Sequence, residues 1–297
     1  LGLAYYTEIP AVVINVQRTG PSTGMPTRVQ QADLLECAYA SHGDTKHILL
    51  LPADPKECFE FAVQAFDLAE RFQTPVMVLS DLDIGMNDWV VDKLSWDDAY
   101  RPDRGRVLSD VEIEEAGHFY RYGDEDAEFV TPRTLPGLTE HGAYFTRGSG
   151  HDRYGLYTEE AAAYADVVER LAKKVAASAN HLPKPVVHSR AGAIAGVVTM
   201  GSCEGAVIEA LELLEQDGVA LDYMRVRGFP FDSEVKAFLA AHERCLVVEQ
   251  NRDGQLRSLL ILEADGDARR LTSVLSYGGL PMSAEQVADG IRSQIQE

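Results

Sequence analysis

The sequence contains few cysteines, and their spacing is not that of a metal site. Its 297 residues include four, which lie far apart and form no Cys-x-x-Cys pair: Cys37, Cys58, Cys203 and Cys245. This spacing argues against a zinc site or an iron–sulfur cluster housed in this chain. Reduced, mostly buried thiols in a cytoplasmic protein are the expectation.

Basic charge and long apolar runs are also scarce. Lys and Arg number 27 against 47 Asp and Glu, which gives a net charge of −20. A field of this sign repels phosphate backbones and anionic lipid, so neither nucleic acid nor membrane is expected as a partner, although the charge also serves simple solubility. No apolar run approaches the roughly 18 residues of a membrane span. The opening "LGLAYYTEIP" shows no signal peptide and no initiator Met, and it reads as strand-like. We therefore expect the C-terminal part of a longer polypeptide.

Several common catalytic motifs are missing. The sequence has no Gly-x-Ser-x-Gly, His-Glu-x-x-His, Walker or Gly-x-Gly-x-x-Gly motif. No pair of nearby carboxylates stands out for acid–base chemistry.

The apolar pattern predicts two α/β units, which is consistent with the chain length. In the first unit, strands are expected at 11–16, 47–51 and 74–81, each of them buried. Helices are expected at 29–43 and 52–73, the second capped by Asp54, with an apolar face formed by Phe59, Val63 and Phe66 together with Ala62 and Ala69. Alternation of strand and helix implies a parallel sheet covered by helices.

The remainder of the chain divides into two parts. Residues 86–190 are rich in turn formers, charge and aromatics, and predict a long irregular segment that ends in one helix capped by Thr158. The α/β pattern then returns over residues 191–297. The predicted domains are therefore 1–85, 86–190 and 191–297.

The most informative stretch is "QRTGPSTGMPTR", which directly follows the first strand. Ligands bind at the carboxyl ends of strands in open parallel sheets. Arg18 offers a planar fork for a carboxylate. Glycine permits close backbone approach, and hydroxyls and backbone N–H groups can hold an anion; these residues are Gly20, Ser22, Thr23, Gly24 and Thr27. A plain Gly/Pro turn with solvated arginines would produce the same pattern.

Three further candidates have simpler explanations. "VVEQNRDGQL" places Glu249, Gln250, Asn251 and Gln255 at a strand end, where they could meet an anion or merely cap the next helix. "TMGSCEG" is a similar turn with Ser202 as its expected cap. His151 could face a pocket from the irregular segment or lie on the surface.

The segments "TEIPAVVINVQRTGPSTGMPTRVQQADL", "HDRYG", "VRGFPF" and "VVEQNRDGQLRSLL" resemble the α subunit of 2-oxoacid:ferredoxin oxidoreductases, especially the 2-oxoglutarate type. The resemblance implies an α/β fold with two parallel-sheet domains of the transketolase-like thiamine-diphosphate type. Residues 1–85 would be the later part of the pyrimidine-binding domain, and residues 191–297 would resemble the C-terminal domain of transketolase.

The resemblance also implies a reaction and a partner. Such enzymes use thiamine diphosphate and CoA to convert a 2-oxoacid to acyl-CoA and CO2, and electrons leave through a [4Fe-4S] cluster to ferredoxin. The residue matching Arg18 contacts the substrate carboxylate, and Thr27 lies at the substrate site. The diphosphate site, Mg2+ and the cluster belong to the β subunit, so an αβ heterodimer or (αβ)2 assembly is expected, with ferredoxin docking on the β subunit.

One feature of the sequence differs from the family pattern, and two alternative functions remain open. The glutamate that activates the aminopyrimidine and the Tyr-Pro-Ile-Thr-Pro motif precede the matching region, so this chain alone would not activate thiamine in the usual way. A non-catalytic subunit that braces an enzymatic partner remains an alternative. So does an oxidoreductase for pyruvate or branched-chain 2-oxoacids.

Overall fold

The computed structural model describes residues 1–137 and 139–296, and it confirms the predicted α/β class with two mostly parallel sheets. In this part of the chain the strands are β1 Ala11–Gln17, β2 Ile48–Leu50, β3 Pro75–Asp81, β4 Val186–His188, β5 Gly196–Met200, β6 Asp222–Val226, β7 Gly228–Phe229, β8 Cys245–Glu249 and β9 Leu271–Leu275. The α-helices are α1 Gly2–Tyr6, α2 Leu34–Ala38, α3 Pro55–Phe72, α4 Leu82–Met86, α5 Asp110–Ala116, α6 Ala161–Ser178, α7 Glu204–Gln216, α8 Ser233–Ala241, α9 Gln255–Glu263 and α10 Ala284–Gln296.

Each sheet is parallel except for one edge strand. The first sheet has the order β1-β3-β2-β7, with β7 antiparallel to β2. The second has the order β4-β6-β5-β8-β9, with β4 antiparallel to β6. The strand β7 lies after residue 191, the predicted start of the last domain, yet it belongs to the first sheet. The strand β4 lies before residue 191, yet it belongs to the second sheet. The domain limits 1–85, 86–190 and 191–297 stay a prediction.

The first strand is not buried as expected. β1 lies at the edge of the first sheet, where it pairs with β3. The side chain of Ile14 is 62% exposed and that of Val16 is 48% exposed, although β3 is buried along its whole length. The apolar run marked β1 as a strand, but it could not show that β1 lies at an edge.

Helix α3 begins as predicted but turns a different face to the core. The Asp54 carboxylate accepts a hydrogen bond from the Glu57 backbone N–H, which confirms the cap. The predicted face was wrong at Phe66, which is 61% exposed, although Ala69 of that face is buried. The helix carries a second apolar row, and this one packs on the first sheet: Phe61, Ala65, Leu68, Ala69 and Phe72.

Two further predictions near the N-terminus were wrong. The opening residues form helix α1 instead of a strand. The predicted helix at 29–43 is shorter in the structure and forms only α2, since residues 29–33 are in neither a helix nor a strand. Their polar groups bond to residues at the ends of strands in both sheets instead of to a helix. The Gln31 N–H, for example, donates to the Gln250 carbonyl at 2.8 Å.

The segment 86–190 is mostly irregular, as predicted, but it holds two α-helices, α5 and α6, and the strand β4 instead of a single helix at its end. Helix α6 begins after Glu160, and Thr158 is not its N-cap: the Thr158 hydroxyl accepts from the Glu160 N–H two residues on. Helix α6 supplies Arg170 and Lys174, which bond the buried carboxylate of Glu8 ahead of β1. These ion pairs tie the irregular segment to the first sheet. Over the described residues, no helix combines the length and apolar character that a membrane crossing requires.

Candidate functional site

The loop after β1 closes on itself through backbone hydrogen bonds. Thr19 N–H donates to the Arg28 carbonyl at 2.9 Å, and Met25 N–H donates to the Thr19 carbonyl at 3.1 Å. Gly24 has φ +48°, and a Cβ there would lie 2.2 Å from the Thr19 carbonyl oxygen. A side chain at Gly24 would therefore open the loop, so glycine is required at this position.

A cleft of about 690 Å³ lies beside this loop, at the carboxyl ends of strands from both sheets. The first wall is formed by the end of β1 and the loop, with Arg18, Gly20 and Ser22 among its residues. The second wall comes from the turns after β8 and β9, with Arg252 and Tyr277. This is the position at which open parallel sheets bind ligands.

The predicted loop residues fall into two groups. Arg18, Gly20 and Ser22 line the cleft, whereas the other three do not and are exposed on the outer part of the loop: Thr23, Gly24 and Thr27. The Arg18 side chain is exposed and makes no hydrogen bond or ion pair to the part of the chain that the structure describes. Its guanidinium is free to receive a ligand, although this chain alone does not enclose it.

Sequence reasoning missed most of the opposite wall. Asp33 and Glu36 bring carboxylates to the cleft from the start of α2, and Arg252 pairs there with Asp253. Arg252 stood inside the stretch "VVEQNRDGQL", so the strand-end argument could have marked it. Tyr277 follows β9 in a region that carried no comparable signal.

A buried polar network lies behind the loop and joins the two sheets. The Gln31 side-chain amide donates to Asp81 Oδ2 at 2.8 Å, and the Ser202 hydroxyl donates to the same oxygen at 2.7 Å. Ser202 was expected to cap α7 and does not, because its hydroxyl is committed to Asp81. Burial raises the pKa of the neighbouring Cys203 thiol to about 12. Cys203 is therefore a packing residue and not a nucleophile.

The second sequence candidate has a structural role. The Glu249 carboxylate accepts from the Leu256 and Arg257 N–H groups at the start of α9, and burial raises its pKa. Asn251 Oδ1 accepts from the Asp253 and Gln255 N–H groups. These side chains cap α9 and leave no free group for an anion.

His151 is neither a surface residue nor a lining residue of the cleft. Its side chain is fully buried, with its ring 4.0 Å from that of Tyr122 and 4.9 Å from that of Tyr6. Burial lowers its pKa, so the ring is neutral at pH 7. The ring packs between the irregular segment and helix α1.

The described residues offer no group of three or more His, Cys, Asp or Glu side chains placed to hold a metal ion. The four cysteines all lie in this part of the chain and are free, and three of them are buried: Cys37, Cys203 and Cys245.

The chain is similar to known proteins in sequence and in structure. Residues 1–93 match the family model described as pyruvate flavodoxin/ferredoxin oxidoreductase, thiamine diP-bdg. The chain is 27% identical to the 2-oxoglutarate:ferredoxin oxidoreductase from Magnetococcus marinus, whose structure was solved with 2-oxoglutarate, coenzyme A and succinyl-CoA bound. The TM-score is 0.82, and the match covers 100% of this chain and 50% of that one.

Two curated relatives extend the comparison. The α subunit of 2-oxoacid:ferredoxin oxidoreductase 2 from Aeropyrum pernix is 32% identical over 98% of this chain and 45% of its own length. The 2-oxoglutarate synthase subunit KorA from Methanothermobacter thermautotrophicus is 32% identical over 84% of this chain and 65% of its own. The chain thus spans about half to two thirds of the length of these relatives. The first 93 residues are thus similar to the pyruvate flavodoxin/ferredoxin oxidoreductase family, and nearly the whole chain is similar to the α subunits of 2-oxoacid:ferredoxin oxidoreductases.

Proposed function

We propose that this chain functions in the α subunit of a 2-oxoacid:ferredoxin oxidoreductase that acts on 2-oxoglutarate. The reaction is oxidative decarboxylation with CoA to succinyl-CoA and CO2, with electrons passing to ferredoxin. The names of the KorA relative and of the solved oxidoreductase support this choice of acid. The observation that carries the proposal is the Arg18 guanidinium at the cleft where strands of both sheets end.

Arg18 is the group we assign to the substrate carboxylate. An arginine fork binds a carboxylate through two parallel hydrogen bonds, and its charge persists at any physiological pH. The chain's own residues then orient the acid: Gly20 and Ser22 line the cleft beside Arg18, and Gly24 holds the loop closed. Thr27 lies on the outer side of the loop, where it would meet a substrate enclosed by another subunit.

The described residues fit thiamine diphosphate only as one half of a shared site. When bound, this cofactor stabilises the carbanion that decarboxylation of a 2-oxoacid creates. The open cleft and its carboxylates Asp33 and Glu36 suit the organic part of such a cofactor. The described residues contain no metal-holding group for a diphosphate and Mg2+. We therefore assign the diphosphate, Mg2+ and the [4Fe-4S] cluster to a β subunit, in an αβ or (αβ)2 complex in the cytoplasm.

Pyruvate is the competing substrate, because the matching family model has pyruvate in its description. A 2-oxoglutarate enzyme must also accommodate a second carboxylate. Arg252, on the wall opposite Arg18, is the cation of this chain best placed for it, although its guanidinium is paired with Asp253.

The test is a dye-reduction assay on the complex purified with its native partner, supplied with thiamine diphosphate and CoA. We expect CoA-dependent reduction that is faster with 2-oxoglutarate than with pyruvate or a branched-chain 2-oxoacid. Faster reduction with pyruvate would overturn the choice of acid. No reduction with any 2-oxoacid, in a complex shown to hold cofactor and cluster, would favour the alternative that this chain is a non-catalytic subunit that braces its partner.

A further inference from the structure

The loop that carries Arg18 is packed against a turn of the second sheet. The Val29 N–H, at the end of the loop, donates to the Gly279 carbonyl after β9 at 3.1 Å. Gly279 has φ +81° and is buried. A Cβ at this position would lie 2.6 Å from Met25 Cε and 2.9 Å from Arg28 Cβ. Loop and turn therefore meet with no room for a methyl group.

A second contact holds the backbone just after the loop. Gln31 donates through its backbone N–H to the Gln250 carbonyl at 2.8 Å, and its own carbonyl accepts from Asn251 Nδ2 at 3.0 Å. Both partners follow β8. The loop is thus held at its end by the turn after β9, and the backbone just after it is held by the turn after β8.

A shift at Gly279 would reach Arg18 through Thr19. The Thr19 hydroxyl lies 3.2 Å from the position of a Cβ on Gly279, and it donates to the Val29 carbonyl at 3.0 Å. Thr19 is the residue that follows Arg18, and its backbone closes the loop. The position of the arginine in the cleft therefore depends on close packing by the second sheet.

We propose that Gly279 is a positioning residue for the Arg18 loop, so that the second sheet of this chain sets where the guanidinium meets a 2-oxoacid. This inference rests on the proposed function for its link to substrate. The packing itself is independent of any activity, and the two parts are tested separately.

The test compares Gly279→Ala with a matched control, Gly218→Ala, in the complex with its partner subunit. Gly218 has φ +83°, so alanine meets the same backbone strain, but no atom lies within 4 Å of its Cβ position. Thermal unfolding should therefore shift in both variants because of this strain, and shift further in Gly279→Ala, where the methyl group also meets Met25 and Arg28. Trypsin should cleave after Arg28 several-fold faster in Gly279→Ala alone, because the loop has lost its packing.

Kinetics provide the second readout. In Gly279→Ala the KM for 2-oxoglutarate should rise by about tenfold or more, with a smaller change in the KM for CoA, because misplacing a substrate-binding group weakens that contact. Gly218→Ala should keep both constants. Met25→Ala in the Gly279→Ala background removes the nearest clashing atom and should restore part of the trypsin resistance and part of the KM.

Three results would overturn the inference. Equal trypsin cleavage in the two glycine variants would show that the loop does not depend on Gly279. Faster cleavage with an unchanged KM for 2-oxoglutarate would show that the contact does not position a substrate group. A Gly279→Ala chain that does not assemble, and that Met25→Ala does not rescue, would make Gly279 a folding residue. Failure of the proposed function looks different, because wild-type complex would then turn over no 2-oxoacid while the trypsin comparison could still succeed.

Discussion

At the scale of single residues, Glu8 is the centre of a buried cluster with more cations than anions. Its carboxylate accepts from Arg170 and from Lys174, the latter at 2.7 Å, and Arg121 donates to its backbone carbonyl. Burial opposes ionisation of Glu8, but the Lys174 and Arg170 charges outweigh it and hold the pKa of that carboxyl well below its usual range. Burial, together with the repulsion from Arg170 and Arg121, lowers the pKa of Lys174 to about 8.

This imbalance predicts unequal effects of removing the two partners. Glu8→Gln leaves the buried cations Arg170 and Lys174 without their carboxylate and should lower the free energy of unfolding by about 3–5 kcal/mol. Lys174→Met leaves Glu8 paired with Arg170 and should lower the free energy of unfolding by a smaller amount. Urea unfolding of the two variants at pH 7 measures the difference. Equal losses would contradict the account of the cluster.

The same cluster predicts a pH dependence. The folded pKa of Lys174, about 8, lies below its unfolded value of 10.5. The unfolded chain therefore binds more protons between these values, and this lysine's contribution to stability rises with pH there and is lost as pH falls through about 8. Relative to Lys174→Met, the wild type should gain stability between pH 8 and pH 9.5, with a slope of at most about 1.4 kcal/mol per pH unit. Parallel stability curves would refute this prediction.

At the scale of elements, the helix α3 and the strand β6 join the two sheets through buried ion pairs. Arg225 on β6 makes two hydrogen bonds to the Glu57 carboxylate at the start of α3, at 2.7 and 2.9 Å. Arg227 adds a third at 3.0 Å. Arg225→Met should therefore lower the free energy of unfolding by about 3 kcal/mol, since the buried carboxylate of Glu57 loses its main partner.

Lys56→Gln on the same helix is the control for Arg225→Met. Lys56 pairs with Glu60 at 3.7 Å on the exposed side, and such a pair contributes at most about 0.5 kcal/mol. Chemical unfolding of both variants makes the comparison. A loss in Arg225→Met as small as in Lys56→Gln would show that this ion pair does not hold the sheets together.

What the sequence predicts depends on whether local signals decide the structure. The helix α3 was predicted with its cap, Asp54, because that residue lies next to an apolar period. The conformation of the segment before α2 was not predicted, because Gln31 in that segment bonds to residues that follow β8 and lie far away in the sequence. Similarly, the Arg18 loop was visible from its composition, whereas the opposite wall with Tyr277 exists only once both sheets are packed.

At the scale of the whole molecule, the net charge of −20 bears on where ferredoxin docks. Ferredoxins are commonly acidic, and like charges slow diffusional encounter. We therefore predict that ferredoxin docks on the partner subunit. Crosslinking of ferredoxin to the complex, followed by mass spectrometry, should map mainly to that subunit. Crosslinks concentrated on this chain would refute the prediction.

The central claim is that the cleft beside β1 receives a 2-oxoacid through Arg18. The most direct measurement is the kinetics of Arg18→Ala in the complex, with Arg28→Ala as control, because Arg28 lies on the same exposed loop without lining the cleft. We expect Arg18→Ala to raise KM for the 2-oxoacid and to lower kcat/KM by about 2–4 kcal/mol, while Arg28→Ala changes little. Unchanged kinetics in Arg18→Ala, or equal losses in both variants, would contradict the assignment of this cleft.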